Sequence, residues 1–588
     1  MPRTARRAIS TKTKRTASAD GTMTQRQVLE ALSGLLLGMF VSILAGTVVA
    51  TSLPVIISEL DGDQSAYTWV VTSTLLATTV STPLWGKFAD LFDRKLLIQL
   101  ALGLFVVGSA AAGFSQDTNT LILFRVFQGL GGGGLAALSQ IIMADIISPR
   151  DRGKYAGLFG AVMALGTVGG PLLGGLVTDA FGWRWNFFIA LPIAIVAILL
   201  LQSTLHLPRH PKRTVRIDYL GAVLIAAGVS LLLIWVSLAG HQFEWASVPT
   251  LVMVVGSVVL LAAAVIVELK SPEPIIPLGM FRNRTFTLSV IASISVGVSM
   301  FGTSVFLAQY MQLARGATPT ESGLLTIPMM AGLLISSTVF GGLISRRGKW
   351  KAIMVSGSVL TVVGSILLGT LHYDTNLILV GVYMAVLGAG IGMLMQNLVL
   401  VVQNSIEVRN LGVATSAITF FRSLGGTIGV SVLGSILGTV VAQSIKENIA
   451  ALKPADQVLA GTYLGSGTIP QISELPTVLK TVVESAYGSG VGFVFLCAVP
   501  LAVVTLIAVV FLPNVPLGTL NAVQLKTQTG GRSTAADQAR ERGDASDMLI
   551  DVSTASVALP AVGLAHPTES AQTVSSRESA DQARGGDR

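Results

Sequence analysis

The sequence is short of charge. Only 12% of its 588 residues are Asp, Glu, Lys or Arg, about half the quarter usual in a soluble globular chain. That scarcity excludes a string of soluble domains, because so much apolar surface can be hidden only in lipid. Cysteine is scarcer still. Cys497 stands alone, which excludes an intramolecular disulfide and a Cys-based metal site. The five histidines (His206, His210, His241, His372, His566) fall in loops, at segment ends or in the tail. Neither a buried histidine relay nor a histidine-ligated metal is expected. No G-x-x-x-x-G-K-[ST] loop occurs, so ATP drive has no support. The clustered acids, histidines or Ser/Lys pair of a membrane enzyme are missing as well. No metal, no cofactor and no enzymatic activity are therefore expected.

What is present is apolar. Hydrophobic residues make up 51% of the chain, with 62 glycines and a mean hydropathy of +0.71. A transmembrane helix needs about 20 mostly apolar residues. Runs of that kind lie near Leu32–Leu53, Thr68–Gly86, Leu96–Phe114, Thr120–Asp145, Tyr155–Thr178, Asn186–Ser203 and Tyr219–Gly240. Others lie near Thr250–Val267, Thr285–Tyr310, Ser322–Leu343, Ala352–Leu371, Asn376–Val401, Gly412–Val440 and Gly490–Leu512. The expected fold is an all-α membrane protein with fourteen transmembrane helices. The first run is too long for a cleaved signal and reads as an uncleaved anchor.

The formal charge of +8 belongs to turns rather than to a nucleic-acid patch. One alternating set holds Lys87, Arg94, Lys95, Arg150, Arg152, Lys154, Arg209, Lys212, Arg213, Arg216, Lys270, Arg282, Arg284, Arg346, Arg347, Lys349, Lys351 and Arg409. The other holds only Arg184, Arg315, Lys446, Lys453 and Lys480. The positive-inside rule then puts both termini in the cytoplasm. Trp69, Trp85, Trp183, Trp185 and Trp350 stand at span ends, as an aromatic belt would.

Two stretches recur along the chain. Gly86–Lys95 and Gly342–Lys351 are short basic turns opened by glycine, 256 residues apart. The glycine-rich fifth run (Gly166, Gly170, Pro171, Gly174) loosely matches the thirteenth (Gly425, Gly426, Gly429, Gly434) at an offset of 259. Two six-span halves with two inserted spans are expected, and parallel repeats of this kind belong to transporters. The expected organisation is a basic disordered cytoplasmic tail over 1–28 and a six-helix bundle over 29–204. A linker with two extra helices spans 205–284. A second six-helix bundle spans 285–512 and carries an external loop over 441–487, and 513–588 form a disordered cytoplasmic tail.

These residues resemble the major facilitator superfamily, and within it the fourteen-span drug/proton antiporter branch, the multidrug and quaternary-ammonium exporters of bacteria. Gly86–Lys95 is similar to the signature turn of the family, although Leu91 and Asp93 depart from the usual Arg and Gly. Arg125-Val-Phe-Gln128-Gly129 resembles the fourth-span motif. Gly166-x-x-x-Gly170-Pro171-x-x-Gly174-Gly175 resembles the antiporter motif of the fifth. Trp183-Arg184-Trp185, Asp218-Tyr219-Leu220-Gly221 and Phe420-Phe421-Arg422-Ser423-Leu424-Gly425-Gly426 also look like this branch. The branch usually carries an Asp in the first span, where this chain has Ala45. The resemblance implies two six-helix bundles around a pocket and proton-driven export of small amphiphilic compounds by alternating access. The chain is expected to act as a monomer. A proton-coupled importer, or a transport-inactive sensor that the missing carboxylate would suit, uses the same architecture.

Arg125 and Arg422 lie deep in apolar runs, where a charge costs a few kcal/mol and so marks function. Arg125 is expected to act in proton coupling and conformational switching with Asp90, Arg94 and Asp145. Arg125 bonded only to backbone carbonyls is the plain structural alternative. Gln128, Gln309, Tyr310, Gln396, Asn397, Phe421 and Arg422 are the expected substrate cavity. Gly166, Gly170, Pro171 and Gly174 are expected to pack one bundle against the other.

Overall fold

The computed structural model describes residues 25–61, 64–205, 218–239, 243–464, 475–520 and 524. Both expected tails lie outside the described residues except for their inner ends. The architecture is all-helical. Fourteen long helices follow one another: α1 (Gln25–Glu59), α2 (Gln64–Leu91), α3 (Arg94–Gly113), α4 (Thr118–Ile146), α5 (Ala156–Phe181), α6 (Ala190–Thr204) and α7 (Tyr219–Leu238). Then come α8 (Val248–Lys270), α9 (Arg284–Gln309), α10 (Ile327–Arg347), α11 (Lys351–Leu368), α12 (Leu377–Ser405), α13 (Leu411–Ala450) and α14 (Thr477–Val510). Thirteen spans among the described residues are long and apolar enough to cross a membrane; α2 is the fourteenth long helix.

The sequence marks many of the boundaries. Asp93 starts α3 by accepting the N–H groups of Lys95 and Leu96 at 2.8 and 3.2 Å. Asp117 and Asp218 do the same for α4 and α7, because the first N–H groups of a helix have no partner inside it. Gly348, at φ +70°, closes α10 in the left-handed conformation that glycine adopts without strain.

Helix α2 is Ser/Thr-rich because its neighbour supplies the acceptors. Thr74, Thr78 and Ser81 donate to the carbonyls of Arg125, Gly129 and Leu130 on α4, and Trp85 Nε1 donates to Leu130 at 2.9 Å. Gly129 and Gly133 let the backbones meet: a Cβ built at either would lie about as close as 2.5 Å to a carbonyl of α2.

The pairings repeat. Helix α1 packs on α5 and α6, and both α2 and α3 pack on α4. In the second half α9 packs on α13 and α14, and both α10 and α11 pack on α12. The two halves are therefore copies of one six-helix plan. They meet through a matched pair of contacts, α2 on α13 and α5 on α10. The inserted hairpin α7–α8 lies against α2 and α13. Lys87 on α2 reaches Glu273 beyond α8 at 2.7 Å. Trp245 at the other end of the hairpin donates to Ser435 on α13 at 2.8 Å.

Two expectations are corrected here. Helix continues through Ala450 and resumes at Thr477, with a short helix at Pro454–Leu464 between, so much of 441–487 is helical rather than loop. A helix of 40 residues runs about 60 Å, twice the apolar thickness of a bilayer, so part of α13 stands outside it. The tryptophans do not form a belt as a set. Trp183 and Trp350 are fully buried, and Trp185 is exposed.

Candidate functional site: the seam between the bundles

The basic turns gather at one end of the molecule, and there the bundles are closed on each other. Two crossings do this, and they are equivalent in the two halves. At the start of α13, a Cβ built at Gly412 would lie 2.5 Å from the carbonyl oxygen of Gly86 on α2. Just before α5, a Cβ built at Gly153 would lie 2.1 Å from the carbonyl oxygen of Gly341 on α10. Only glycine permits backbone to meet backbone in this way.

Asp90, at the end of α2, ties the first crossing. Its carboxylate accepts from the N–H groups of Gly412 and Val413 at 2.9 and 3.0 Å. An anion there is favoured by the unpaired N–H groups and dipole of the α13 N-terminus. The same carboxylate accepts from Arg94 at 3.2 Å, and Arg94 also pairs with Asp145 at the end of α4. All three side chains are buried. Arg94 spends its remaining Nε–H on the carbonyl of Ala89. Three of the expected switch residues therefore form one cluster. Asp145 is a buried ion-pair partner.

Arg152 extends the seam. It donates to the carbonyls of Ile147 and Ala144 and to Gln403 on α12, in the other bundle. Gln403 in turn donates to the Gln140 carbonyl on α4 at 3.3 Å and to Thr415 at 3.0 Å. Gln140 donates to Gln396 at 3.2 Å. These two glutamines are 256 residues apart, which is the offset of the basic turns. A cavity of about 10 Å³, room for one water, lies between Arg152, Phe159, Gln396, Asn397 and Gln403.

The other expected residues do not share one pocket. Arg125 is buried, with Nε on the Val70 carbonyl at 3.3 Å and Nη1 on Gln128 at 2.8 Å. Gln128 passes on to Ser109, and Ser109 to the Phe187 carbonyl. No ion pair among the described residues includes Arg125 or Arg422. Arg422 is buried and reaches the Met395 carbonyl at 3.4 Å, so it lies beside Gln396 and Asn397. Asn397 bonds within its own helix, to the Met393 carbonyl at 2.6 Å. Tyr310 is fully buried in the second bundle, its hydroxyl on the His372 carbonyl at 2.7 Å; it is a packing residue. Gln309, beside it, buries its Oε1 without a hydrogen-bond partner. Phe421 meets Phe281 and Phe420 edge to face.

The glycines of α5 are also reassigned. Gly166 faces Ile43, Gly170 faces Thr47 and Gly174 faces Val48, all on α1 of the same bundle. Thr47 donates to the Gly166 carbonyl at 2.9 Å. They pack within the bundle that Pro171 also belongs to, and the crossing between bundles uses Gly153, Gly157 and Gly160 instead. Gly157 meets Thr338 and Gly160 meets Ser337, both on α10. Ala45 is buried in the core of the first bundle.

Two copies of a six-helix plan, closed at one end by breakable polar contacts, define a membrane transporter. The Major Facilitator Superfamily matches residues 35–430, and the chain belongs to it. The chain is 35% identical over 493 residues to an uncharacterized MFS-type transporter of Mycobacterium tuberculosis, covering 82% of this chain and 69% of that one. It is 35% identical over 420 residues to the multidrug transporter protein MdtP of Bacillus subtilis, covering 71% and 77%. It is 31% identical to multidrug resistance protein 3 of the same species, covering 82% and 94%. The fold is also that of the proton:xylose symporter XylE, with a TM-score of 0.54 at 14% identity over 86% of this chain and 99% of that one. Fourteen helices and multidrug relatives agree with the branch named from the sequence. The family is one of transporters, not enzymes.

Proposed function

We propose that this transporter exports small amphiphilic compounds from a bacterial cell across its inner membrane, in exchange for protons, by alternating access. The observation that carries the reading is the Asp90 carboxylate. It holds Arg94 in its own bundle and the N-terminus of α13 in the other. Such contacts exist in one arrangement of the bundles and are lost in the other, which is what a two-state switch requires. Both termini and the basic end face the cytoplasm in this reading, so the structure stands closed to the inside.

We assign proton coupling to the Asp90–Arg94–Asp145 cluster, whose charge balance sets how firmly Asp90 holds the α13 N-terminus. Arg125 and Gln128 form a second polar centre further along α4, and we assign Arg125 to the response of the first bundle to that change. The substrate path runs past Gln396, Asn397 and Arg422, where the bundles part. The substrate is a small molecule and the working unit a monomer. The multidrug names of MdtP and multidrug resistance protein 3 support a drug-like substrate.

Accumulation of a fluorescent amphiphile in cells expressing the chain tests this. Lower accumulation that is restored by a protonophore is the expected result. Equal accumulation with and without the chain, or uptake raised by it, overturns the proposal.

A further inference from the structure

We propose that residues 512–520, which follow α14, form a strap that holds the two bundles together at the basic end and releases one of them when that end opens. Leu512 and Leu517 are buried in the hydrophobic core of the second bundle and anchor the strap there. Trp350, in the turn between α10 and α11, donates Nε1–H to the Val515 carbonyl at 2.8 Å. Asn404, near the end of α12, uses both sides of its amide. Its Nδ2 donates to the Pro516 carbonyl at 3.0 Å, and its Oδ1 accepts from the Gly518 N–H at 2.8 Å.

The strap then crosses to the first bundle. The Gly518 carbonyl accepts from the backbone N–H of Arg150 at 3.1 Å, at the turn between α4 and α5. Pro149 closes on the same glycine: a Cβ built at Gly518 would lie 3.8 Å from Pro149 Cγ. The Arg150 side chain donates to the Ser345 carbonyl at 3.3 Å, at the end of α10. One residue of the first bundle thus meets both the strap and α10. Thr519 and Gln524 go on to border a cavity of about 340 Å³ beside Gln25, Asp151 and Tyr155.

The two attachments are unequal. On the second bundle the strap has two buried leucines and three side-chain hydrogen bonds. On the first, the described residues of the strap itself make one backbone hydrogen bond. Separation of the bundles therefore breaks the Arg150–Gly518 bond and leaves the strap on α12. The strap adds to the Asp90 crossing, and it lies on the α5–α10 side of the seam, where that carboxylate does not reach.

The inference rests on alternating access, and its test separates the two. In the full chain, with Cys497→Ser to remove the native thiol, Ser337→Cys places a probe at the α5–α10 contact, where a Cβ at Gly160 would meet Ser337 Oγ at 2.8 Å. Ser358→Cys places a control probe inside the second bundle, where Ser358 is fully buried. The rate of N-ethylmaleimide labelling is read in membranes. Asn404→Leu and the milder Trp350→Phe loosen the strap from the second bundle, so that the Arg150–Gly518 bond no longer ties the two bundles; each is expected to raise labelling at the first probe by up to about five-fold, the worth of that one net hydrogen bond, and to leave the control unchanged. Asp90→Asn is expected to raise it too. If only Asp90→Asn raises it, the strap fails and alternating access stands. If none of the three does, both fail. If the control rises with the probe, the strap contacts only stabilise the second bundle and the proposal is overturned.

Discussion

Asp90, Arg94 and Asp145 show what a buried charge does in a bundle. Each carboxylate alone would be costly inside, and so would the guanidinium; together they are partnered, and Asp90 has two further N–H donors. Removal of the one guanidinium leaves both carboxylates without their cation. Arg94→Ala should therefore lower stability by about 3–5 kcal/mol, read as an earlier thermal unfolding transition in detergent. An unchanged transition would show that the carboxylates do not depend on Arg94. Asp90 and Arg94 were legible in the sequence because they sit four residues apart in a recognisable turn. Asp145 was named with them, but its pairing with Arg94 was not legible, because it arrives from another helix 51 residues on, and only the packing of α3 on α4 brings it there. Gln140 was missed for the opposite reason, and Gln396, although expected in the cavity, was not paired with it. They are neutral and sit in glycine-rich helices, yet their 256-residue spacing equals that of the basic turns and could have exposed them. A double-mutant cycle on Gln140→Leu and Gln396→Leu should give a coupling of about 0.5–1.5 kcal/mol; zero coupling would separate them.

Helices carry the next level of the argument through their glycines. A glycine motif in a span reads as a packing face, but the motif does not say which neighbour it packs against. The run from Gly166 to Gly174 packs on α1, and the crossing to α10 is made about two to four turns before Gly166. The two sites should fail differently. Gly170→Ala would bring a Cβ to 1.9 Å from Thr47 Oγ1, so it should destabilise the first bundle by about 1–3 kcal/mol and leave the closed end closed. Gly153→Ala would bring a Cβ to 2.1 Å from the backbone oxygen of Gly341, which cannot step aside as a side chain can. It should prise α5 from α10, and raise labelling at Ser337→Cys with little change in unfolding temperature. The reverse pattern would restore the reading made from sequence. Fourteen apolar runs were legible because lipid demands length and hydropathy. The true ends of α13 and α14 were not, since both helices continue into polar sequence beyond the apolar stretch.

At the scale of the whole molecule, the internal repeat is what the sequence revealed and the structure explains. Equal offsets between basic turns become equal helix pairings in the two halves, and the paired contacts α2–α13 and α5–α10 close the same end. The hairpin α7–α8 interrupts the repeat without disturbing it, because it lies outside, against α2 and α13. The strap after α14 gave no sign in the sequence. Its backbone bonds to Trp350, Asn404 and Arg150 depend on three turns that meet only in the folded chain.

The central claim is that the basic end is a closed gate held by Asp90. Spin labels at Lys154→Cys, at the start of α5, and Arg347→Cys, at the end of α10, both exposed, measure it directly when Cys497→Ser has removed the native thiol. The account predicts a short distance in the parent and a second, longer population when Asp90→Asn is added. A single distance, unmoved by Asp90→Asn, would contradict it.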